Sequence, residues 1–537
     1  MIDAAQRISG PANRVRRWAL RLSGLEGWRR YGLAFLLGAL AAAALPPMDA
    51  TPVLVISFTG LVWLGDGVRP RKAAFALGWS FGFGFFLAGL YWIGVALFVD
   101  IGQFWWFLPF VAVGFPAALA LFPALSELAF FEASRRFHLS GYARILMLAA
   151  CWTLSEWVRG HVFTGFPWNL VGYAWSGDFP GALAVLQVTS LIGIYGLSLF
   201  TVIAASLPAR LGDIGVRPMR PMLALVLLVG IPGLWGAARL QGDEGAVVPG
   251  VKLRLVQPSI PQTLINDRAS QRQNFDRLIA LSRSAGWESI TDIIWPEGAS
   301  PPFLDRLSLH PESSTAALLA SVTPKDGLLL LGSVRTDPLP ASPEHFWNSL
   351  VALDEHGRIR GTYDKSHLVP FGEYVPGRGI LPMHKVTAGT IDFSAGPGPR
   401  TLVLPGIPPV GPLICYEALF PEEVVNHASR PDWLLNLTND AWYGVTSGPY
   451  QHLAVARVRA VEQGLPLIRS GNNGISAIID AYGRVQARLP LNAVGALDGP
   501  LPQPLPPTVY FLYGIGIFPL IMLVILAVIT IFSIYEE

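Results

Sequence analysis

The chain has 537 residues, 52% of them hydrophobic and only 14% charged, where about 25% charged is usual for a soluble domain. Its net charge of +2 leaves no electrostatic footprint for nucleic acid. Two cysteines exclude a disulfide framework, and nine histidines without HExxH or CxxC spacing give no reason to expect a metal or other cofactor.

Such a composition points first to membrane-spanning helices. Residues Met1 to Arg30 are arginine-rich, with Arg7, Arg14, Arg16, Arg17, Arg21, Arg29 and Arg30. The apolar run Tyr31–Leu45 that follows has the make-up of a signal peptide, but further apolar runs follow at once, so it reads as a first span. The others are Thr51–Leu64, Ala73–Phe98, Phe104–Phe130, Ala143–Val158, Ala182–Leu207, Met222–Ala238 and, at the far end, Val509–Ile534, which makes about eight. Basic residues fill alternate loops: the N-terminus, then Arg69, Arg71 and Lys72, then Arg135, Arg136 and Arg144, then Arg210, Arg217 and Arg220. By the positive-inside rule both ends lie in the cytoplasm, and the long segment before the last span lies outside. Ser155-Glu156-Trp157-Val158-Arg159-Gly160 closes the fifth span as an interfacial Glu–Arg pair with a Trp anchor, and the aromatic stretch Phe163-Thr164-Gly165-Phe166-Pro167-Trp168 follows it.

From about Gly250 to Pro500 the pattern changes. Strand-like runs recur at Lys252–Gln257, Asp292–Trp295, Gly327–Gly332, Ser349–Leu353, Thr401–Leu404, Gly411–Ile414, Trp433–Leu437, Leu467–Ser470 and Ser476–Ile479. Helix-like stretches at Gln271–Arg283, Ser313–Ser321, Pro421–Ala428 and Gln451–Glu462 lie between them. Strands alternating with helices predict a layered α/β domain. Ala299–Pro311 and Ser366–Pro399 are long and irregular, and loops of that length are usually functional or mobile. The second carries Leu368, Val369, Phe371, Tyr374, Val375, Ile380 and Leu381, which suits either a lipid-contacting lid or ordinary loop packing.

The run Val410-Gly411-Pro412-Leu413-Ile414-Cys415-Tyr416-Glu417 reads as a short strand ending on a free thiol. A buried cysteine is more often packing than chemistry, and a thiol of ordinary pKa, about 8.5, needs a base or a nearby cation to become a nucleophile. Glu297 in Ile294-Trp295-Pro296-Glu297-Gly298 could supply the base. Pro296 cannot donate to a ladder and so ends its strand just before Glu297. Lys365 in Tyr363-Asp364-Lys365 could stabilise the thiolate and the oxyanion formed on attack at a carbonyl.

Those pieces, in the order Glu, Lys, Cys, resemble the nitrilase, or carbon–nitrogen hydrolase, superfamily. Behind a set of membrane spans they look like its apolipoprotein N-acyltransferase branch. The resemblance implies an α-β-β-α sandwich appended to a membrane α-helical bundle: a membrane domain over 1–240, a nitrilase-like periplasmic domain over 250–500 and a last transmembrane helix over 509–534. It implies a Glu297–Lys365–Cys415 triad, with Glu373 of Pro370-Phe371-Gly372-Glu373-Tyr374, Tyr416 and Glu417 as supporting residues. The stretch Asn439-Asp440-Ala441-Trp442-Tyr443-Gly444 resembles the next block of the family and suits a pocket floor or a plain turn equally. One departure is Asn266, where relatives often carry Trp. The implied reaction is acyl transfer through a Cys415 thioester in the bacterial inner membrane. A phospholipid, attacked at its sn-1 ester, is the donor, and the N-terminal amine of a diacylglyceryl-cysteine apolipoprotein is the acceptor. The alternative is a membrane-tethered amide hydrolase using the same triad, with water resolving the thioester.

Overall fold

The computed structural model describes residues 11–242, 245–265, 267–299, 314–337, 345–377, 385 and 391–535. Arg7, Asn266, Ile380, Leu381 and residues 300–311 of the first long loop lie outside them. The chain divides into two compact units: Met1–Gly94, Trp106–Gln241 and Tyr513–Glu537 form one, and Val95–Trp105 with Gly242–Leu512 forms the other.

In the first unit a helix occupies each apolar segment expected from sequence: Gly27–Ala42, Val53–Asp66, Arg71–Leu90, Leu121–Arg136, Gly141–His161, Thr189–Ser206, Met219–Arg239 and Ile517–Tyr535. Among the described residues four helical stretches are long and apolar enough to cross a membrane: Arg71–Phe107, Phe110–Arg136, Thr189–Gly212 and Met219–Arg239. The helices Gly27–Ala42 and Arg71–Leu90 approach backbone to backbone. A Cβ on Gly38 would lie 1.9 Å from the Phe81 carbonyl oxygen, and one on Gly84 would lie 2.0 Å from that of Phe35, the close contact that small residues allow between membrane helices.

Some of these helices are less regular than their apolar runs suggested. The third α-helix stops at Leu90 and continues as a tighter 3-10 turn over Tyr91–Asp100. The fourth begins with a π-turn at Phe110–Gly114 after Pro109 and carries Pro116 and Pro123, each of which removes a backbone donor. Glu156 and Arg159 are buried and bind the following loop back onto their own helix. Glu156 Oε1 accepts from the Val171 N–H at 2.9 Å and from Trp152 Nε1 at 3.1 Å, while Arg159 Nη1 donates to the Trp168 carbonyl at 2.7 Å.

The second unit is an α-β-β-α sandwich, as the resemblance implied. Its strands are β1 (Val247–Gln257), β2 (Asp292–Ile294), β3 (Leu328–Thr336), β4 (Phe346–Asp354), β5 (Ile359–Asp364), β6 (Val410–Ile414), β7 (Trp433–Thr438), β8 (Leu467–Gly471), β9 (Ser476–Ile479), β10 (Val485–Leu489) and β11 (Gly495–Pro502). They form a six-stranded sheet in the order β11-β1-β2-β3-β4-β5 and a five-stranded sheet in the order β10-β9-β8-β7-β6. β1, β2 and β3 run parallel, as do β6, β7 and β8.

The two-residue period of the strands assigns each side chain to a layer. Leu328 and Leu330 face the core between the sheets, with Leu253, Leu255, Ile414, Leu435 and Leu437. Leu329 and Leu331 face the outer helices, Arg268–Ser282 and Ser314–Val322. On the other side Leu434, Leu467 and Ile479 pack beneath the helix Gly448–Gln463.

Two expectations fail here. Pro421–Ala428 is not a helix; the Asn426 side chain accepts from the Ala428 N–H at 2.9 Å and stabilises a local turn instead. Thr401–Leu404 forms only an isolated bridge, Leu402 with Val410. Three strands, β5, β10 and β11, went unread. In the Ser366–Pro399 stretch Leu368 and Val375 are buried, so the described start of that loop is packed.

β3 also sets the backbone around Glu297. A Cβ on Gly332 would meet the Glu297 Cα at 2.6 Å, the Pro296 carbonyl oxygen at 2.7 Å and the Gly298 nitrogen at 2.8 Å. All three are backbone atoms and cannot swing aside. Gly332→Ala is therefore expected to cost about 1–3 kcal/mol by overpacking, read as a lower unfolding temperature of the detergent-purified protein; an unchanged temperature would mean that β3 yields freely.

Candidate active site

β2 ends at Ile294, and the Trp295 N–H donates to the Leu330 carbonyl at 2.8 Å. Pro296 ends the ladder as expected, and Glu297 follows in a turn with Gly298 at φ +64°. Lys365 comes directly after β5. Its N–H donates to the Asn348 carbonyl at 2.8 Å, and its carbonyl accepts from the Gly396 N–H at 2.8 Å. Cys415 follows β6 with φ +52°, a left-handed conformation unfavourable for a residue with a side chain.

These three residues meet. Lys365 Nζ lies 3.7 Å from Glu297 Oε1, 3.0 Å from Glu373 Oε1 and 2.9 Å from Glu373 Oε2. The Cys415 thiol is within hydrogen-bonding reach of the Glu297 carboxylate. Asn348 Nδ2 donates to Glu297 Oε1 at 2.7 Å and to Glu373 Oε1 at 2.9 Å, so one amide separates two like charges. Glu297 Oε2 accepts from the Asn439 N–H at 2.9 Å.

The supporting residues divide in two. Glu373 touches the ammonium directly, and Glu417 holds backbone. Glu417 Oε2 accepts from the Ile414 N–H at 2.7 Å, on the strand side of the cysteine. Its Oε1 accepts from Tyr363 Oη at 2.7 Å and from the Ser366 N–H at 2.7 Å, so it ties the Lys365 loop to the Cys415 turn. The Tyr416 ring packs edge-on against Phe420, centroids 5.1 Å apart.

Sequence reading missed Asn348, and it left the Asn439-Asp440 block outside the catalytic set although Asn439 binds Glu297. It also missed His452, whose Nε2 lies 3.1 Å from the Cys415 carbonyl oxygen. Asn348 stands third in β4, beside Ser349, and its local sequence carries no mark of the contacts that it makes.

Burial pushes the Cys415 thiol up to about 12, the Glu297 carboxylate adds to the rise and Lys365 opposes it. The thiol is therefore protonated at neutral pH. Burial also raises Glu297, against the pull of Lys365 and with the help of Glu373. For Lys365 burial works downward, but Glu373 and Glu297 outweigh it and keep the ammonium charged. The arrangement offers a protonated nucleophile, a base of raised pKa beside it and a fixed cation for a developing oxyanion.

Glu297→Gln removes a charge that raises the thiol's pKa and leaves Lys365 in place. The midpoint of Cys415 alkylation by iodoacetamide should then fall below about 12, and each unit of fall multiplies the thiolate fraction at a given lower pH about tenfold. Faster alkylation of the variant at pH 9, located by peptide mass mapping, is the expected result; an unchanged profile would break the coupling.

Residues 252–503 match the carbon-nitrogen hydrolase family, and residues 37–207 match the apolipoprotein N-acyltransferase N-terminal domain. Similar full-length proteins are the apolipoprotein N-acyltransferase of Rhodopseudomonas palustris, 43% identical over 91% of this chain and 92% of that one, and that of Bradyrhizobium diazoefficiens, 42% identical over 96% and 97%. An amidase structure from Nesterenkonia sp. covers 48% of this chain and 94% of its own at 19% identity and a TM-score of 0.34, too distant a likeness to carry weight. With relatives of that identity running along nearly its whole length, the chain belongs to the apolipoprotein N-acyltransferase family.

Proposed function

We propose that this enzyme moves an acyl chain from a phospholipid to the N-terminal amine of a diacylated apolipoprotein, with Cys415 as nucleophile, Glu297 as general base and acid, and Lys365 as oxyanion stabiliser. The observation that carries the reading is the buried cluster itself, in which the Cys415 thiol reaches the Glu297 carboxylate and Lys365 Nζ stands 3.7 Å from the same group.

In the first half-reaction Glu297 takes the thiol proton as sulfur attacks the sn-1 ester carbonyl. Lys365 holds the oxyanion. Collapse breaks the ester bond, the leaving oxygen takes the proton from Glu297, and a lysophospholipid departs from a Cys415 thioester. In the second half the neutral amine attacks the thioester, Glu297 receives a proton from nitrogen, and collapse forms the amide. The departing thiolate takes that proton back. Covalent catalysis lets one site serve two bulky substrates in turn. Glu373 keeps the ammonium charged, and Glu417 fixes the Cys415 turn. Tyr416 packs beside that turn.

The setting is a bacterial inner membrane. We read the eight helices named above in the first unit as spans, with both chain ends in the cytoplasm and the sandwich, over about 250–500, in the periplasm. The alternation of basic loops supports this orientation.

Purified protein incubated with phospholipid should gain one acyl mass on the peptide containing Cys415, and added diacylated lipopeptide should then carry that mass away on its amine. Cys415→Ala should lose both steps. Free fatty acid released with no gain on the lipopeptide would mean that water is the acceptor, as in the hydrolase alternative. An undiminished adduct in Cys415→Ala would mean that the nucleophile lies elsewhere.

A further inference from the structure

Behind the cysteine turn lies a second buried polar chain that the proposed reaction does not use. The helix Gly448–Gln463 brings His452 to the turn with no exposure to solvent. His452 Nε2 lies 3.1 Å from the Cys415 carbonyl oxygen. A carbonyl only accepts, so Nε2 carries the proton. On the other side of the ring, Nδ1 faces Asp440 Oδ1 at 2.9 Å and Arg469 Nη2 at 3.1 Å. Arg469 Nη2 also donates to Asp440 Oδ2 at 2.8 Å, and Thr438 Oγ1 donates to Asp440 Oδ1 at 3.0 Å. Arg469 Nη1 bonds Asn436 Oδ1, and Asn436 Nδ2 donates to the Leu413 carbonyl at 3.2 Å, returning the chain to β6. The Tyr443 ring stands edge-on to the imidazole, centroids 5.9 Å apart.

Arg469, Asp440 and His452 are wholly buried. Groups of this kind are costly to bury unless they are paired, and both Nη atoms of Arg469 and both Asp440 oxygens are paired here, while Arg469 Nε is not. The far end of the chain is a single acceptor, the carbonyl of a residue in a strained conformation. Backbone held in the left-handed region costs on the order of 1–3 kcal/mol and persists where its surroundings over-determine it. A peptide group is planar. Fixing the Cys415 carbonyl therefore fixes the plane of the Cys415–Tyr416 peptide and so restrains the backbone turn from which the Cys415 side chain departs.

We propose that His452, held by Arg469, which Asp440 anchors in turn, is a positioning residue that acts through the Cys415 carbonyl to keep the thiol aimed at Glu297. The proposal rests on the reading of Cys415 as nucleophile. His452 touches neither substrate nor thiol in this role. It transmits the geometry of β7, β8 and the helix Gly448–Gln463 to the cysteine turn. Burial and the Arg469 guanidinium push the imidazole's pKa down against the pull of Asp440; in the neutral ring protonated on Nε2, Nδ1 is an acceptor, so its donor is Arg469 Nη2, and Asp440 acts by anchoring that guanidinium.

The test compares His452→Leu, which has no donor, with His452→Gln, whose amide N–H can reach toward the same carbonyl. Full-length protein in detergent receives an equimolar phosphatidylethanolamine–phosphatidylglycerol mixture, and acylation of Cys415 is timed by intact mass. His452→Leu should acylate on the order of a hundredfold more slowly with little change in the phospholipid KM, the cost of a misaimed attacking atom. His452→Gln should recover to within about tenfold of the parent, although both variants lose comparable thermal stability. Asp440→Asn, measured alongside, should show a smaller loss of the same kind and decides the matter if His452→Leu does not fold. Wild-type acylation by His452→Leu or by Asp440→Asn, or equal losses in Leu and Gln that follow their melting temperatures, would overturn the positioning role. An acyl adduct persisting in Cys415→Ala would instead remove the nucleophile reading on which it rests.

Discussion

The second unit depends on one ammonium group. Lys365 is 1% exposed and lies between Glu373, which is buried, and Glu297, whose side chain is 12% exposed. Taking such ions out of water costs several kcal/mol each, and their mutual attraction repays this only when the remaining lone pairs are satisfied. They are satisfied here. Asn348 bridges Glu297 and Glu373, the Asn439 N–H takes the free oxygen of Glu297, and the Val369 N–H donates to Glu373 Oε2 at 2.8 Å. The partners come from both sheets: β4 supplies Asn348 and the end of β7 supplies Asn439. The cluster therefore joins the two sheets at the ends of β2, β5 and β6. Packing alone could hold the layers together, but only the charged cluster fixes the distances among Glu297, Lys365 and Cys415.

The same burial sets the character of the thiol. Reactive cysteines are usually exposed and acidic, whereas Cys415 is 6% exposed and its pKa is raised. A standing thiolate would react indiscriminately with whatever electrophile entered. In the proposed reaction a protonated thiol beside Glu297 attacks as its proton is transferred, and that requires a carbonyl in place. The left-handed turn at Cys415 works to the same end by turning the thiol out of the strand line and toward the carboxylate. Glu417 on one side and His452 on the other hold that turn, through the Ile414 N–H and the Cys415 carbonyl.

The parts of this arrangement that were legible in sequence follow from short-range rules. The unbroken apolar run Leu328 to Leu331 marked a strand, and Pro296 marked where β2 had to end. The residues that escaped are those whose role depends on distant partners. β5 carries Arg360, Gly361 and Thr362 in a half-exposed strand, so it lacks an apolar signature even though it delivers Lys365. β10 alternates intermediate and exposed positions, and β11 is half exposed at its start, as strands outside the double-faced core can be. Pro421–Ala428 has helical composition, but the Asn426 side chain competes for the backbone. Asn348 and His452 act across 51 and 37 residues of chain respectively, and nothing in their local sequence declares those contacts. In the first unit, helix presence followed from apolar length, while the breaks at Leu90, at Pro109 and at Gly193, where φ is 66°, depend on single residues that an averaged hydropathy window smooths away.

A raised carboxyl pKa bears differently on the two halves of the proposed reaction. In the first half Glu297 must take a proton from a thiol at about 12, and every increment in its own pKa lowers the cost of that transfer. In the second half the attacking amine must arrive unprotonated, and an N-terminal amine titrates near 7.7–8.0, so a sizeable neutral fraction exists at the pH of the cell. Once nitrogen has attacked, its proton is more acidic than that of the free ammonium, so its transfer to the Glu297 carboxylate asks far less than transfer from the thiol. The demanding proton transfer thus belongs to thioester formation, the step in which burial of Glu297, the neighbouring Glu373 and the fixed Lys365 act together. Resolution of the thioester by an amine asks less of the protein's acid–base groups and more of the space that admits the second substrate while keeping water out.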